Sequence, residues 1–272
     1  MDATETAKPV QEFGDPEANR FYARVLSTLE RAGVPFLVGG AYALYRYTGI
    51  ARFTKDLDLF ALRADRDRIL HLLDGAGYRT EITCAHWLAK AYHGDVFVDL
   101  IYSSGNGVAQ VDQEWLDRAV ADVVLGTPVR LIPPEEMIWS KAFVMERERY
   151  DGADIAHLIH AVGEKLDWHR LIDRFGPNWR VLLSHLILFG FVYPGERTRI
   201  PGSVIEGLVA RLESEVWAPP EDERVCQGPM LSREQYLPDI ERWGYRDARL
   251  RPTGTMTPEE ADRWTAAIHE GK

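Results

Sequence analysis

The first candidate for chemistry is a pair of aspartates in a segment that alternates between polar and apolar residues. Residues 56–60 read DLDLF, which predicts a β-strand. Because side chains two apart on a strand point the same way, Asp56 and Asp58 share one face and the leucines serve packing. Two carboxylates side by side repel each other unless a cation lies between them. The pattern therefore predicts a cation site, and Mg²⁺ is the cation expected there.

The second candidate is a glycine pair that 15 residues separate from the first aspartate. A short apolar run of β type, residues 36–38, stops at Gly39 and Gly40, and residues 41–47 then place apolar side chains at helical spacing. Such a strand, turn and helix leaves N–H groups unpaired at the helix start, and these attract anions, phosphate above all. The alternative is that the glycines serve only the geometry of the turn.

Together these motifs, written GG-x(15)-DLD, resemble the active-site pattern of the nucleotidyltransferase superfamily, whose fold is typified by DNA polymerase beta. The resemblance covers about residues 30–165 and is to the small bacterial members, the antibiotic-modifying and toxin-like enzymes. It implies transfer of a nucleoside monophosphate from an NTP to a hydroxyl acceptor at a two-Mg²⁺ site. It also implies a third carboxylate on a nearby strand, and Asp99 within VFVDLI supplies one.

The resemblance implies a role for each of these residues. Asp56 and Asp58 would bridge the two metal ions, and Asp99 would bind the ion on the nucleophile side and take the proton of the acceptor. Gly39 and Gly40 would face the triphosphate through their backbone. The pair is Gly-Gly and not the Gly-Ser common among toxin enzymes, which disfavours that group. The alternative for DLD is an exposed strand edge that binds nothing.

Basic residues further along the chain are additional candidates. Lys141 lies in EEMIWSKAFV, and a lysine on the corresponding helix of the resembling family reaches the β- and γ-phosphates. The alternative is a lysine that extends to solvent from a partly buried face. Arg147 is expected to form ion pairs with Asp151 and Asp154 that fix the two predicted domains.

Several other side chains leave two interpretations open. Arg52 and Lys55, just before the DLD strand, either meet the phosphates or the acceptor, or face solvent. The C-terminal aromatic residues are expected to pack, with stacking on a base or an acceptor ring as the alternative. They are Trp217, Tyr236, Trp243 and Tyr245.

The composition is that of an ordinary globular protein with excess negative charge. The chain has 272 residues, of which 46% are hydrophobic and 27% charged, and its net charge is −10. A protein that binds nucleic acid through phosphates usually needs a basic face, so this charge weighs against a nucleic-acid substrate. Two cysteines without zinc or disulfide spacing predict the reducing cytoplasm. No apolar stretch is long enough to span a bilayer, and no membrane partner is expected.

The predicted fold class is an α/β (α+β) nucleotidyltransferase domain with a short mixed sheet, followed by an α-helical domain. The boundary is placed at Pro133-Pro134, which gives a catalytic domain over residues 1–133 and a helical domain with an irregular tail over residues 134–272. Residues 93–95, His-Gly-Asp, predict a hairpin turn. The strand of Asp99 would then be a neighbour of DLDLF.

Three further expectations concern individual elements. Residues 1 to about 16 are expected to form a polar lead-in. Residues 113–124 are expected to be helical in part, and a long helix over residues 135–149 is expected to open the second domain.

The sequence therefore predicts a cytoplasmic, Mg²⁺-dependent nucleotidyltransferase whose acceptor is unresolved. The acceptor can be a small molecule, a tRNA end or a protein side chain, and the acidity favours a small molecule or a protein. A toxin-like member would also have an antitoxin partner. The alternative function is that of a non-catalytic member that keeps the fold and binds a nucleotide or a partner. The three intact acids count against that alternative.

Overall fold

The computed structural model describes residues 15–52, 54–218 and 224–270. Most of the predicted polar lead-in, residues 1–14, lies outside these ranges. Nine strands lie within them: β1 Leu37–Val38, β2 Asp56–Phe60, β3 Arg79–Cys84, β4 Leu88–His93, β5 Val96–Ile101, β6 Val120–Val124, β7 Thr127–Leu131, β8 Val225–Cys226 and β9 Arg246–Asp247. The α-helices in the same ranges are α1 Pro16–Arg31, α2 Gly40–Thr48, α3 Arg66–Gly75, α4 Gln113–Asp117, α5 Pro134–Ala142, α6 Gly152–Val162, α7 Trp168–Phe175, α8 Trp179–Val192, α9 Gly202–Val216, α10 Leu237–Glu241 and α11 Pro258–Glu270.

Seven of the strands form one mixed sheet in the order β3-β4-β5-β2-β1-β7-β6. Strand β2 runs parallel to β5 and antiparallel to β1, which is in turn parallel to β7. The hairpin predicted at residues 93–95 joins β4 to β5, with Gly94 at a φ of 60°. The strand of Asp99 is therefore the direct neighbour of the DLDLF strand. The predicted fold class, an α/β domain with a mixed sheet followed by helices, is confirmed.

Helix α1 covers part of this sheet because its apolar residues recur on one face. It packs against α3 and β7. Tyr22 on the same helix donates a hydrogen bond from its hydroxyl to the Lys55 carbonyl (3.0 Å), which anchors the start of β2. The four residues of its apolar face are all fully buried: Phe21, Val25, Leu26 and Leu29.

The helices after residue 133 are joined to one another and to the segment before α4 by ion pairs. Helix α5 begins with two buried acids, Glu135 and Glu136. Arg170 pairs with both, and Arg174 pairs with Glu136 (3.1 Å) and, in the other direction, with Asp112 (2.5 Å). Because a charge taken out of water is costly unless it is paired, these contacts fix helix α7 against both α5 and the segment before α4.

One hydrophobic core runs through both predicted domains. Its buried residues form a single cluster that extends from Ala18 in α1 to Leu208 in α9. The helical part therefore shares its packing with the sheet. The division at residues 133 and 134 stays a prediction.

Two element predictions were wrong in part. The helix expected over residues 135–149 ends at Ala142, and the chain turns back through an isolated bridge between Met145 and Tyr150. Of the segment 113–124, only the first five residues are helical, and residues 120–124 form β6. In the second case the turn at Leu125 and Gly126, both with positive φ, folds β6 back on β7, and this pairing outweighs local helical spacing.

No helix in the described ranges is both long enough and apolar enough to cross a bilayer. The longest is α1, which is amphipathic.

Candidate active site

The three aspartates singled out in the sequence lie side by side. Asp56 and Asp58 project from β2, and Asp99 projects from β5, where it lies opposite Asp58 in the parallel register. One carboxylate oxygen from each residue lies within 4.8 Å of those of the other two. The row exists because alternate residues of adjacent strands share a face of the sheet. Three oxygen ligands at this spacing suit a hard divalent cation.

The carboxyl groups of Asp58 and Asp99 are poorly solvated because they are largely buried. Burial, and next the charges of Asp56 and Asp99, raise the pKa of Asp58 to about 7, while Lys141 and Arg149 act in the opposite direction. Burial also raises the pKa of Asp99 above its ordinary value. Carboxyl groups whose ionised forms are disfavoured to this degree gain most when a cation is bound between them. This electrostatic imbalance is the observation that fits the site to a divalent cation.

Gly40 lies in direct contact with this row. Its φ is +54°, and a β-carbon added there would lie 1.7 Å from Oδ2 of Asp58. The residue must therefore be glycine both for its backbone conformation and for space. Gly39 has a different task, because its N–H donates to the Asp58 carbonyl (2.9 Å) and continues the sheet. The unpaired N–H groups of the α2 start thus begin at Gly40, beside the acids.

Lys90 is a site residue that the sequence analysis missed. It lies on β4 directly opposite Asp99, and its Nζ is 2.7 Å from Oδ1 of Asp99. The same Nζ lies 3.8 Å from the centre of the Phe97 ring. Lys90 is the one charged residue in LAKAYH apart from the terminal histidine, which was the available signal. Three adjacent strands, β4, β5 and β2, thus place Lys90, Asp99 and Asp58 next to one another.

Replacing Lys90 with Met, which retains the length of the side chain, is expected to destabilise the metal-free protein. Asp99 would remain largely buried without a partner, so we expect the free energy of unfolding to fall by about 1–3 kcal/mol. Since the acids would then lack one cation, saturating Mg²⁺ should raise the Tm of the variant more than that of the wild type. Thermal unfolding in EDTA and in Mg²⁺ measures both effects.

Lys165→Met is the matched control for this experiment, because Lys165 is exposed and lies after α6, away from the sheet. Its Mg²⁺-dependent change in Tm should equal that of the wild type. An equal or smaller Mg²⁺ effect in Lys90→Met would contradict the compensating role of Lys90.

Lys141 lies at the edge of the acids within an ion-pair network. Its Nζ is 3.0 Å from Asp151 and 2.8 Å from Asp154. Arg149 binds Asp151 through two hydrogen bonds (3.0 and 2.9 Å), and Arg52 pairs with Asp154. The ammonium group is thus held inside the protein, which differs from the solvent-directed alternative.

The expectation that Arg147 forms these ion pairs was wrong. Among the described residues, Asp151 and Asp154 are paired with Lys141, Arg149 and Arg52. The early end of helix α5 explains the difference, since the turn over residues 143–150 presents Arg149 to Asp151.

A cavity of about 450 Å³ lies over the three acids. Its lining includes Gly40, Lys141 and the ion-pair network, as well as the loop after β5, residues 103–106, and parts of the C-terminal segment. A ligand in this cavity would contact all three carboxylates and the start of α2.

Comparisons with known proteins place this geometry in context. Residues 18–175 match the model of a family described as "Nucleotidyl transferase of unknown function (DUF2204)". No curated protein matches the chain.

Solved structures with a similar arrangement are related only distantly in sequence. The solution structure of the antibiotic-resistance factor ANT(2'')-Ia is 19% identical, with a TM-score of 0.46, over 63% of this chain and 98% of that one. The lincosamide antibiotic adenylyltransferase LnuA is 15% identical, with a TM-score of 0.38, over 54% and 98%. JHP933 from Helicobacter pylori is 16% identical, with a TM-score of 0.38, over 74% and 96%.

Proposed function

The chain belongs to this family of nucleotidyl transferases, and from that premise we propose that it transfers a nucleoside monophosphate from an NTP to a hydroxyl acceptor. The observation that carries the proposal is the convergence of Asp56, Asp58 and Asp99 beside Gly40 at the floor of one cavity. These three carboxylates would hold Mg²⁺. The bound metal would neutralise charge on the attacked phosphoryl group and on the pyrophosphate that leaves.

Each side chain of the site has a task in this reaction. The acceptor oxygen forms a bond to the α-phosphorus, and the bond from that phosphorus to the bridging oxygen breaks, with its electron pair leaving on pyrophosphate. The hydroxyl proton passes to a carboxylate oxygen of Asp99. Gly40 and the following N–H groups of α2 bind phosphate oxygens, because a helix start offers unpaired donors and the positive end of the dipole. Gly39 supports this turn through the sheet.

Lys141 and Arg149, which line the same cavity, are also proposed to bind the triphosphate. Both are held by Asp151, so their positive groups are fixed before the nucleotide arrives. Preorganised cations reduce the cost of ordering side chains on binding. This arrangement assigns a binding role to Lys141 and a positioning role to Asp151 and Asp154.

Lys141→Met is expected to raise the KM for the NTP by about 10- to 100-fold, because a charge-assisted hydrogen bond contributes about 1.5–3 kcal/mol. The KM for the acceptor should change little. Initial rates at varied NTP concentration provide the measurement, and Lys165→Met again serves as the control. If Lys141 were only part of a structural network, its loss would lower the Tm and leave the KM for the NTP unchanged.

A cytoplasmic location is part of the same proposal. Cys84 is buried and Cys226 partly buried, and the two cysteines do not form a disulfide. The reducing cytoplasm keeps thiols in this state and also supplies NTPs and Mg²⁺.

The experiment that tests the function is incubation with each of the four NTPs, labelled at the α-phosphate, in a bacterial lysate with Mg²⁺. We expect pyrophosphate release and label in one acceptor fraction, and we expect Asp99→Asn to abolish both. A non-catalytic nucleotide-binding member would instead show an NTP-dependent rise in Tm without pyrophosphate release.

A further inference from the structure

The C-terminal part of the chain forms one wall of the cavity. The segment from Gly228 to Trp264, here called the closing segment, packs on the loop that follows β5. Asn106 donates from its side-chain amide to the Met230 carbonyl (2.8 Å), and Thr255 donates from its hydroxyl to the Gly107 carbonyl (3.1 Å). The two partners in each contact are more than a hundred residues apart in sequence. Folding therefore brings the closing segment to the edge of the site.

A second set of contacts ties the closing segment to the turn after α5. Arg233 pairs with Glu146 (2.8 Å), and the Ser232 hydroxyl donates to the same carboxylate (2.8 Å). The backbone N–H of Met145 donates to the Leu231 carbonyl (3.1 Å). The closing segment is thus bonded both to the loop after β5 and to the turn after α5. Its charged residue at this wall, Arg233, is already paired.

Trp264 of helix α11 is held in a defined orientation in this wall. A β-carbon on Gly105 would lie 2.3 Å from its Nε1, so the indole lies directly against the loop backbone. The guanidinium groups of Arg233 and Arg249 lie 5.5 and 5.6 Å from the centre of its ring. Arg249 is itself buried and paired with Asp247 (2.6 Å). These contacts order the indole in the free protein, which lowers the conformational entropy lost when a ligand binds against it.

The chemistry of this wall differs from that around the three acids. Apolar surface is supplied by Trp87, Met230, Leu231 and Trp264. The wall therefore suits a flat or apolar ring.

Asp99 connects this wall to the reaction. Asp99, Ile101 and Ser103 alternate along β5 and its continuation, and all three line the cavity. Residues in this alternation share one face of the sheet, so a ligand whose hydroxyl lies at Asp99 extends along Ile101 towards Gly105 and Trp264. Gly40 and the Lys141 network are assigned to the triphosphate. Trp264, which lies against Gly105, is thus placed beside the acceptor.

We infer that the acceptor is a small, uncharged molecule that carries a hydroxyl group and an aromatic or other apolar ring, bound between residues 103–106 and Trp264. The inference rests on the proposed transfer reaction. A polycation would require unpaired carboxylates on this wall, but Glu146 is already bound by Arg233. An RNA end would require a basic surface, whereas the net charge is −10.

The test uses the full chain and the filtrate of a bacterial lysate, freed of RNA and protein and passed over either a reversed-phase or a cation-exchange resin. With α-labelled NTP and Mg²⁺, we expect label in the small-molecule fraction. The acceptor activity should be retained by the reversed-phase resin and should pass the cation exchanger. Label in RNA or protein, or an acceptor retained only by the cation exchanger, overturns the inference while the proposed reaction stands. No pyrophosphate release with any NTP or fraction overturns both.

A set of tryptophan variants separates an acceptor ring from the base of the NTP as the group at Trp264. Trp264→Ala should lower transfer to the retained acceptor at least 10-fold, with the Kd of a non-hydrolysable NTP analogue unchanged. Trp264→Phe should restore most of the transfer, and Trp243→Ala, at a position that is 62% exposed, should behave as the wild type. A loss of analogue binding in Trp264→Ala as large as the loss of transfer overturns the assignment.

Discussion

Asp58→Asn is expected to abolish nucleotidyl transfer and, at the same time, to stabilise the metal-free protein. Asp58 lies beside Asp56 on β2 and opposite Asp99 on β5. Its replacement therefore removes the proposed metal ligand at the centre of the site. Metal stabilisation of the transition state contributes several kcal/mol, which corresponds to a loss of about 10³-fold or more in kcat. Asn has nearly the same shape and carries no charge, which removes repulsion with Asp56 and Asp99. The Tm in EDTA should therefore rise.

The pH dependence of the free energy of unfolding is an independent test of the charge on Asp58. Folding raises the pKa of Asp58 from 3.8 to about 7, so the folded state binds this proton more tightly than the unfolded state. Its contribution to stability is complete below about pH 4 and is lost as the pH rises to about 7. In EDTA the wild type should lose stability over this window, and Asp58→Asn should lose less. Mg²⁺ should reverse the loss in the wild type.

Asp95→Asn is the matched control, because Asp95 is an exposed residue in the hairpin turn between β4 and β5. It removes the same charge outside the row and should change neither the activity nor the Tm appreciably. Equal stability of wild type and Asp58→Asn across the pH window would contradict the electrostatic account of the site.

Gly40→Ala is expected to damage both the fold and the activity. The added methyl group would overlap Oδ2 of Asp58, and the residue would keep a positive φ. Overpacking costs about 1–3 kcal/mol and the left-handed conformation about 1–2 kcal/mol, so we expect the free energy of unfolding to fall by about 2–5 kcal/mol. Displacement of Asp58 should also lower kcat by about 100-fold or more, since catalysis depends on its position.

Gly49→Ala separates the effect of the positive φ from the effect of overpacking. Gly49 ends the same helix α2 with a φ of +72°, and an added β-carbon there would have no atom within 4 Å. It should lose only the conformational part, about 1–2 kcal/mol, and should retain activity. Chemical denaturation and steady-state kinetics compare the two variants. Equal effects on kcat would mean that the turn tolerates the extra methyl group beside Asp58.

The floor of the site could be predicted from the sequence because short-range patterns encode it. The alternation in DLDLF predicted the common face of Asp56 and Asp58, and the turn at residues 93–95 predicted the hairpin that contains the strand of Asp99. The glycine pair was recognisable for a similar reason, since a turn into a helix beside a strand leaves few other choices. In each case the signal lies within a few residues of the feature that it specifies.

The walls of the site could not be predicted, because they depend on contacts between distant segments. Lys90 faces Asp99 only through the register of β4 and β5, which sequence spacing indicates weakly. Arg149 replaces Arg147 because helix α5 ends at Ala142, and that end depends on partners elsewhere in the chain. Trp264 reaches the cavity through the packing of residues 228–264 on the loop after β5, and no local pattern in the C-terminal segment specifies that contact.

The most direct test of the central claim is the anomalous scattering of Mn²⁺ in crystals grown with a non-hydrolysable NTP analogue. The account predicts a peak bound by carboxylate oxygens of Asp56, Asp58 and Asp99, at about 2.1 Å, with the triphosphate reaching the start of α2 at Gly40. A peak bound elsewhere, or an analogue that leaves these three carboxylates without a metal, would contradict it.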